Sequence, residues 1–204
     1  NWAGGDPLVS TIIAWPAGAL ARILFHELAH QRVYAPGDTM FNESYATAVG
    51  RLGAAQWLAG HADAAARRAD ERWQVHQQAF RQITRATRAE LAGIYEKKGA
   101  PGLSESALLA LKSEAMARFH ERYEALKARW AAAGMPYSGY DAWVAQANNA
   151  SFALQAAYDE WVPGFERLFA QEGRDWPRFH AAVAQLAALP AAERDAYLKR
   201  LSSG

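Results

Sequence analysis

The chain has 204 residues, 22 of them basic and 21 acidic, with a net charge of +1, 51% hydrophobic residues and no cysteine. The length suits one domain, alone or with an extended appendage, and the apolar content is enough for a core. The balanced charge, without a basic stripe carrying interleaved aromatics, argues against a nucleic-acid partner, and the lack of cysteine excludes disulfides and thiolate metal ligands.

Residues 1–7 read as loop. Leu8 to Trp15 is apolar and partly β-branched, as in one short strand or the entry to a helix. Pro16 fits the first turn of a helix that runs to about Val33. That helix carries His26-Glu27-Leu28-Ala29-His30. Ile23, Leu24 and Phe25 before the motif, and Leu28 and Ala29 inside it, predict a buried helix. Buried ionisable side chains need a partner or a metal. Ala35-Pro36-Gly37-Asp38 is a turn. A second helix is expected from about Thr39 to Leu58, with Glu43 in its first turns. The connection is short, so the two helices must lie side by side, which returns Glu43 towards His26 and His30.

Residues 61–99 are Ala-rich, polar and helix-favouring. Gly99-Ala100-Pro101-Gly102 breaks the run, and Ser104 can cap a further helix to about Ala133. Residues 61–133 thus read as a long αα-hairpin appended to a single domain of residues 1–204. The hairpin is either a solvated structural arm or one that binds a partner or gates substrate. Gly134 to Tyr140 is a loop, and shorter helices are expected near 141–160, 163–172, 175–188 and 191–201. The fold class is mainly α, with little or no sheet. No run reaches transmembrane length, and none reads as a signal peptide.

The chemistry sits in the H-E-x-x-H piece. On a helix, His26 and His30 are one turn apart and share a face. Two imidazoles and the Glu43 carboxylate make three ligands with a fourth position open, the arrangement of a catalytic zinc site. Cobalt, nickel or manganese can use the same donors. Glu27 is placed to act as general base for an attacking water. A second donor to the oxyanion is usual, and a Tyr hydroxyl is the usual type. Tyr137, Tyr140 and Tyr158 are the candidates, with Tyr158 preferred. Asn148 and Asn149, with Tyr140, are candidate substrate contacts, although either Asn can simply cap a helix. Thr47, one turn after Glu43, is placed to steady a ligand. His61, His76, His120 and His180 show no ligand spacing and read as surface or satisfied residues.

Several segments together resemble the bacterial putative aminopeptidase family of the cell envelope. They are Ile23-Leu24-Phe25-His26-Glu27-Leu28-Ala29-His30-Gln31, Gly37-Asp38-Thr39, Phe41-Asn42-Glu43-Ser44-Tyr45-Ala46-Thr47, Asn148-Asn149-Ala150 and Val162-Pro163-Gly164-Phe165. Asn42-Glu43-x-x-Ala46 is also similar to the third-ligand motif of the aminopeptidase N group, where the Glu binds zinc and the small Ala lets the two helices approach. Here only twelve residues separate His30 from Glu43, clearly fewer than in that group. The resemblance implies a zincin-type, gluzincin-like hydrolase acting on peptides, as an aminopeptidase. It also implies an upstream segment, often opening with a lipoprotein signal, and hence a periplasmic or envelope location with no other membrane attachment. The start at Asn1 without an initiator methionine is expected for a chain that begins mid-protein. That upstream segment, or a partner chain, is expected to supply the edge strand along which zincins bind substrate.

Two other readings compete: a non-catalytic helical interaction protein with a structural zinc, and a fragment of an autoprocessed precursor. Glu27 separates the enzyme from the interaction protein, because a structural metal has no use for it.

Overall fold

The computed structural model describes residues 15–97 and 104–203. Among these, every regular element is an α-helix: α1 Ala17–His30, α2 Thr39–His61, α3 Ala64–Glu96, α4 Glu105–Ala132, α5 Asp141–Gln146, α6 Asn149–Asp159, α7 Val162–Gln171, α8 Trp176–Ala187 and α9 Ala191–Ser203. None is long and apolar enough to cross a membrane. The expectations for Leu8 to Ala14 and for the Gly99–Gly102 break fall outside the described residues. The single helix expected near 141–160 is two, because Asn148 interrupts it. Its Oδ1 accepts from the backbone N–H of Ala150 (2.9 Å) and Ser151 (3.3 Å), which caps α6.

The chain divides into two compact units, Asn1–Glu71 with Ala157–Gly204, and Arg72–Ala156. In the first unit, α1 packs along α2 through small residues. Gly18, Ala19, Ala21 and Ala29 are its buried positions. The apolar residues expected to bury α1 do not all do so: Leu24 is 39% exposed and Leu28 56%. Of the buried positions, Gly18, Ala19 and Ala29 lie roughly 80–180° around the helix from these two side chains. On α2 the matching stripe is Ala46, Gly50 and Gly53, all buried. A Cβ at Gly50 would stand 2.7 Å from the Arg22 carbonyl oxygen, and one at Gly53 would stand 2.9 Å from the Phe25 ring. Glycine at 50 lets the two backbones approach this closely, and glycine at 53 leaves room for the Phe25 ring.

The connection between the helices is held by Asn42. Its Oδ1 accepts from the Ala35 N–H and its Nδ2 donates to the Ala35 carbonyl, both at 2.8 Å. Asp38 caps α2, with Oδ1 accepting from the Phe41 N–H at 3.0 Å. The opposite face of α2 enters the core, where Phe41 and Tyr45 pack with Val162, Phe165, Phe179 and Leu198 from α7 to α9.

Asp38 has a second role. Its Oδ2 receives Arg194 Nη2 (2.8 Å) and Nε (3.2 Å), while Arg194 Nη1 donates to the Ala187 and Leu189 carbonyls. Arg194 is buried. Asp38→Ala removes the cap and leaves a buried guanidinium without its carboxylate. An expected loss of about 2–4 kcal/mol would show as an earlier urea unfolding midpoint; an unchanged midpoint would mean that the pair contributes nothing.

The second unit has its own aromatic core. Phe80 of α3, Phe119, Tyr123 and Trp130 of α4, Val144 of α5 and Phe152 of α6 are buried together. Glu90 ties the outer surface, 2.6 Å from Arg118 and 3.2 Å from Arg122. The buried His76 donates from Nε2 to the Met135 carbonyl (3.0 Å) and stacks on Tyr137.

Candidate metal centre

His26 and His30 occupy one stripe near the end of α1, and Glu43 sits in the second turn of α2. The α1–α2 contact brings them to one point. His26 Nε2 and His30 Nε2 are 3.2 Å apart. Glu43 Oε2 is 3.2 Å from the first and 3.7 Å from the second. A tetrahedral ion with bonds of about 2.0–2.1 Å would hold its ligands roughly 3.3–3.4 Å apart, so the three atoms already have the spacing of one face of such a site. Glu43 Oε2 is also shut off from water and receives no hydrogen bond. A buried carboxylate oxygen facing two imidazole nitrogens is costly without a donor or a cation. The donor set can hold a metal ion.

Two features bear on what such an ion could do. The three side chains are only partly covered, at 17%, 24% and 19% exposure, so the cluster lies near the surface although Glu43 Oε2 itself is buried. Glu27 is exposed and makes no hydrogen bond or ion pair among the described residues. Burial first, then the neighbouring His30, hold the His26 imidazole below its ordinary pKa. The neutral ring is the form that ligates.

The site is braced by residues to which the sequence pattern assigned no role. Arg22, one turn before His26, forms a two-pronged ion pair with the buried Asp70 at the start of α3; one prong, Nη2 to Oδ2, is 2.8 Å. Gly18 lies against the same carboxylate. Asn42, next to Glu43, fixes the turn rather than facing the cluster. Gly50 is in van der Waals range of His26 Cβ, at 3.5 Å for an added methyl, so the α2 backbone runs directly beneath the first ligand. The Ala46-x-x-x-Gly50-x-x-Gly53 spacing was the available signal for this contact.

The other candidates lie elsewhere. Thr47 makes no hydrogen bond to a ligand among the described residues. Tyr140 belongs to the second unit, stacked on Phe80 at 3.8 Å, with its hydroxyl buried and unbonded. Tyr137 is in the same cluster, and Asn149 Nδ2 donates to the Tyr95 hydroxyl. Asn148 serves as the α6 cap. The Tyr158 side chain lies outside the described residues. Of the remaining histidines, His61 and His120 bond their own helix, and His76 and His180 are satisfied by Met135 and Tyr45.

His180 is also held below its ordinary pKa, by burial and then by Arg32. Folding lowers both the His26 and the His180 imidazole below the ordinary 6.5. The unfolded chain therefore takes protons first as pH falls. Their stability contribution is whole above about pH 6.5 and declines below it. Metal-stripped protein is expected to unfold at lower urea at pH 5.5 than at pH 7.5, and His180→Gln should reduce that difference. A midpoint indifferent to pH would refute this account.

No curated protein and no solved structure matches the chain. A family model described as "Putative aminopeptidase" matches residues 2–198. Nearly the whole chain is covered, with the His26, Glu27, His30 and Glu43 cluster inside the match, and the chain belongs to the putative aminopeptidase family.

Proposed function

We propose that the protein is a zinc-dependent peptidase acting as an aminopeptidase. The observation that carries this reading is the convergence of His26 Nε2, His30 Nε2 and the otherwise unsatisfied Glu43 Oε2 at tetrahedral spacing, in side chains that are only partly covered. The family supplies the substrate class, a peptide. Zinc is the ion that two imidazoles and one carboxylate favour.

His26, His30 and Glu43 would hold the ion. When bound, zinc supplies Lewis acidity that acidifies water and polarises a carbonyl. Glu27 projects from the same helix as the two His ligands and is not itself spent on a contact. Its carboxylate would take the proton of the attacking water and return it to the leaving amine nitrogen. Asn42 and Gly50 would keep the two helices in register, and the Arg22–Asp70 pair would hold α1 against α3, so that the ligands meet without rearrangement. Tyr158 remains the proposed oxyanion donor. The cell envelope is the proposed location.

The test is metal content and its dependence on chelation. Purified protein is expected to carry about one zinc per chain by elemental mass spectrometry. It should release the chromophore from aminoacyl anilides, lose that activity with a chelator, and recover it on zinc addition. Protein that takes up no divalent ion, or hydrolysis that survives its removal, would end this reading.

A further inference from the structure

A cavity of about 490 Å³ opens on the first unit, on a different face of α1 from the metal cluster. Phe25, Leu28, Ala29 and Arg32 line it from α1 and the residues just beyond. They form an i, i+3, i+4, i+7 stripe. At about 100° per residue, this stripe lies roughly 130° around the helix from that of His26 and His30. The facing wall comes from α2 and α8, with Trp57 and Trp176 among its rings. Its volume is that of a small-molecule site.

The polar groups at this cavity are unbalanced. Among the described residues, no acidic side chain lines it. Arg32 is exposed and makes no hydrogen bond or ion pair among the described residues. Gln56 spends its Oε1 on Trp176 Nε1 (2.7 Å), which leaves its amide N–H groups unspent. His180 Nδ1 lies 2.8 Å from the hydroxyl of Tyr45, a fully buried residue with no other partner. That hydroxyl must donate its proton, so Nδ1 accepts and the hydrogen of the neutral ring sits on Nε2. Arg32, Gln56 and His180 thus present donors around an aromatic hollow with no carboxylate to receive them. His180 is half-buried, whereas Arg32 and Gln56 are exposed at the rim, so the unpaired guanidinium at the mouth of an aromatic hollow suits an acceptor that is itself charged.

We propose that this cavity binds a small monocarboxylate with an aromatic or branched apolar body and no free amine, its carboxylate on Arg32 and its body against Phe25, Trp57 and Trp176. An α-ammonium group would find no acidic partner there. That separates this ligand from the free amino acids and amino-terminal peptides that an aminopeptidase handles. The site shares no residue with the metal cluster, so the proposal stands independently of the peptidase reading.

The probe is N-acetyl-L-phenylalanine, titrated into the chelator-treated full chain by calorimetry. It should bind, whereas its carboxamide should bind about ten- to a hundredfold more weakly and L-phenylalanine no better than the carboxamide. Arg32→Gln, at an exposed position, should lower the acid to the level of the carboxamide. Gln56→Leu should weaken it further by a smaller factor. Glu43→Ala should leave the affinity unchanged. No heat at millimolar acid, equal affinity for acid and carboxamide, indifference to Arg32→Gln, or loss of binding in Glu43→Ala would each overturn the proposal. Failure of the zinc test leaves these titrations unaffected, since they use metal-free protein.

Discussion

Glu27→Gln is expected to keep its zinc and to lose turnover by a factor of about 10²–10⁴. Glutamine matches glutamate in size and in helix preference, so α1 should persist. The side chain is exposed and bonded to nothing among the described residues, so no fold contact is lost. What disappears is one acceptor of a proton beside the ligands. The loss should fall on kcat with little change in KM, because the proton moves only in the transition state. Two other outcomes are informative. Turnover equal to the parent would place the base elsewhere and sink this role for Glu27. Loss of zinc together with activity would mean that Glu27 ligates or supports the fold, which the exposed position argues against.

Glu43→Ala should lower zinc affinity by about a hundredfold or more, since one of three protein ligands is removed and its charge with it. Stability of the metal-free form is expected to change little or to rise, because the carboxylate oxygen that lacks a donor goes too. That opposite sign is the distinctive part. A residue that merely braced α1 against α2 would destabilise the apo protein on removal. Competition with a chromogenic chelator gives the affinity, and urea unfolding with and without zinc gives the two stabilities. An unaltered zinc affinity would reassign the third ligand.

The His26, His30 and Glu43 cluster was legible in the sequence because it is local. His26 and His30 need only helical periodicity, and Glu43 needs only a short turn between helices. The helix order was legible for the same reason, together with the Ser104 cap and the Pro- and Gly-bearing turns. What escaped was contact between distant segments. Nothing in the local pattern pairs Arg22 with Asp70, or Asp38 with Arg194, which are 48 and 156 residues apart. The exposed Leu24 and Leu28 show a related limit. An apolar run says that a helix has a partner, but not which face meets it, and here Gly and Ala make the contact. Asn42 was visible as part of a motif, yet its work on the Ala35 backbone depends on a turn geometry that residue type alone does not specify. Asn148 was read with two alternatives, and the structure shows its cap.

The three ligands fall within an 18-residue stretch of one helical hairpin, closed by a clamp on Ala35. Bringing such near neighbours together costs little chain entropy, and local pairings of this kind form early. On the ribosome this hairpin emerges long before α7 to α9. The face bearing Phe41 and Tyr45 therefore waits uncovered through the synthesis of well over a hundred further residues. An ion captured at that stage would pin the register of the nascent hairpin while its apolar side is still a chaperone's concern. On the metal reading, ion supply while the chain folds, and not only in the finished protein, would then bear on yield.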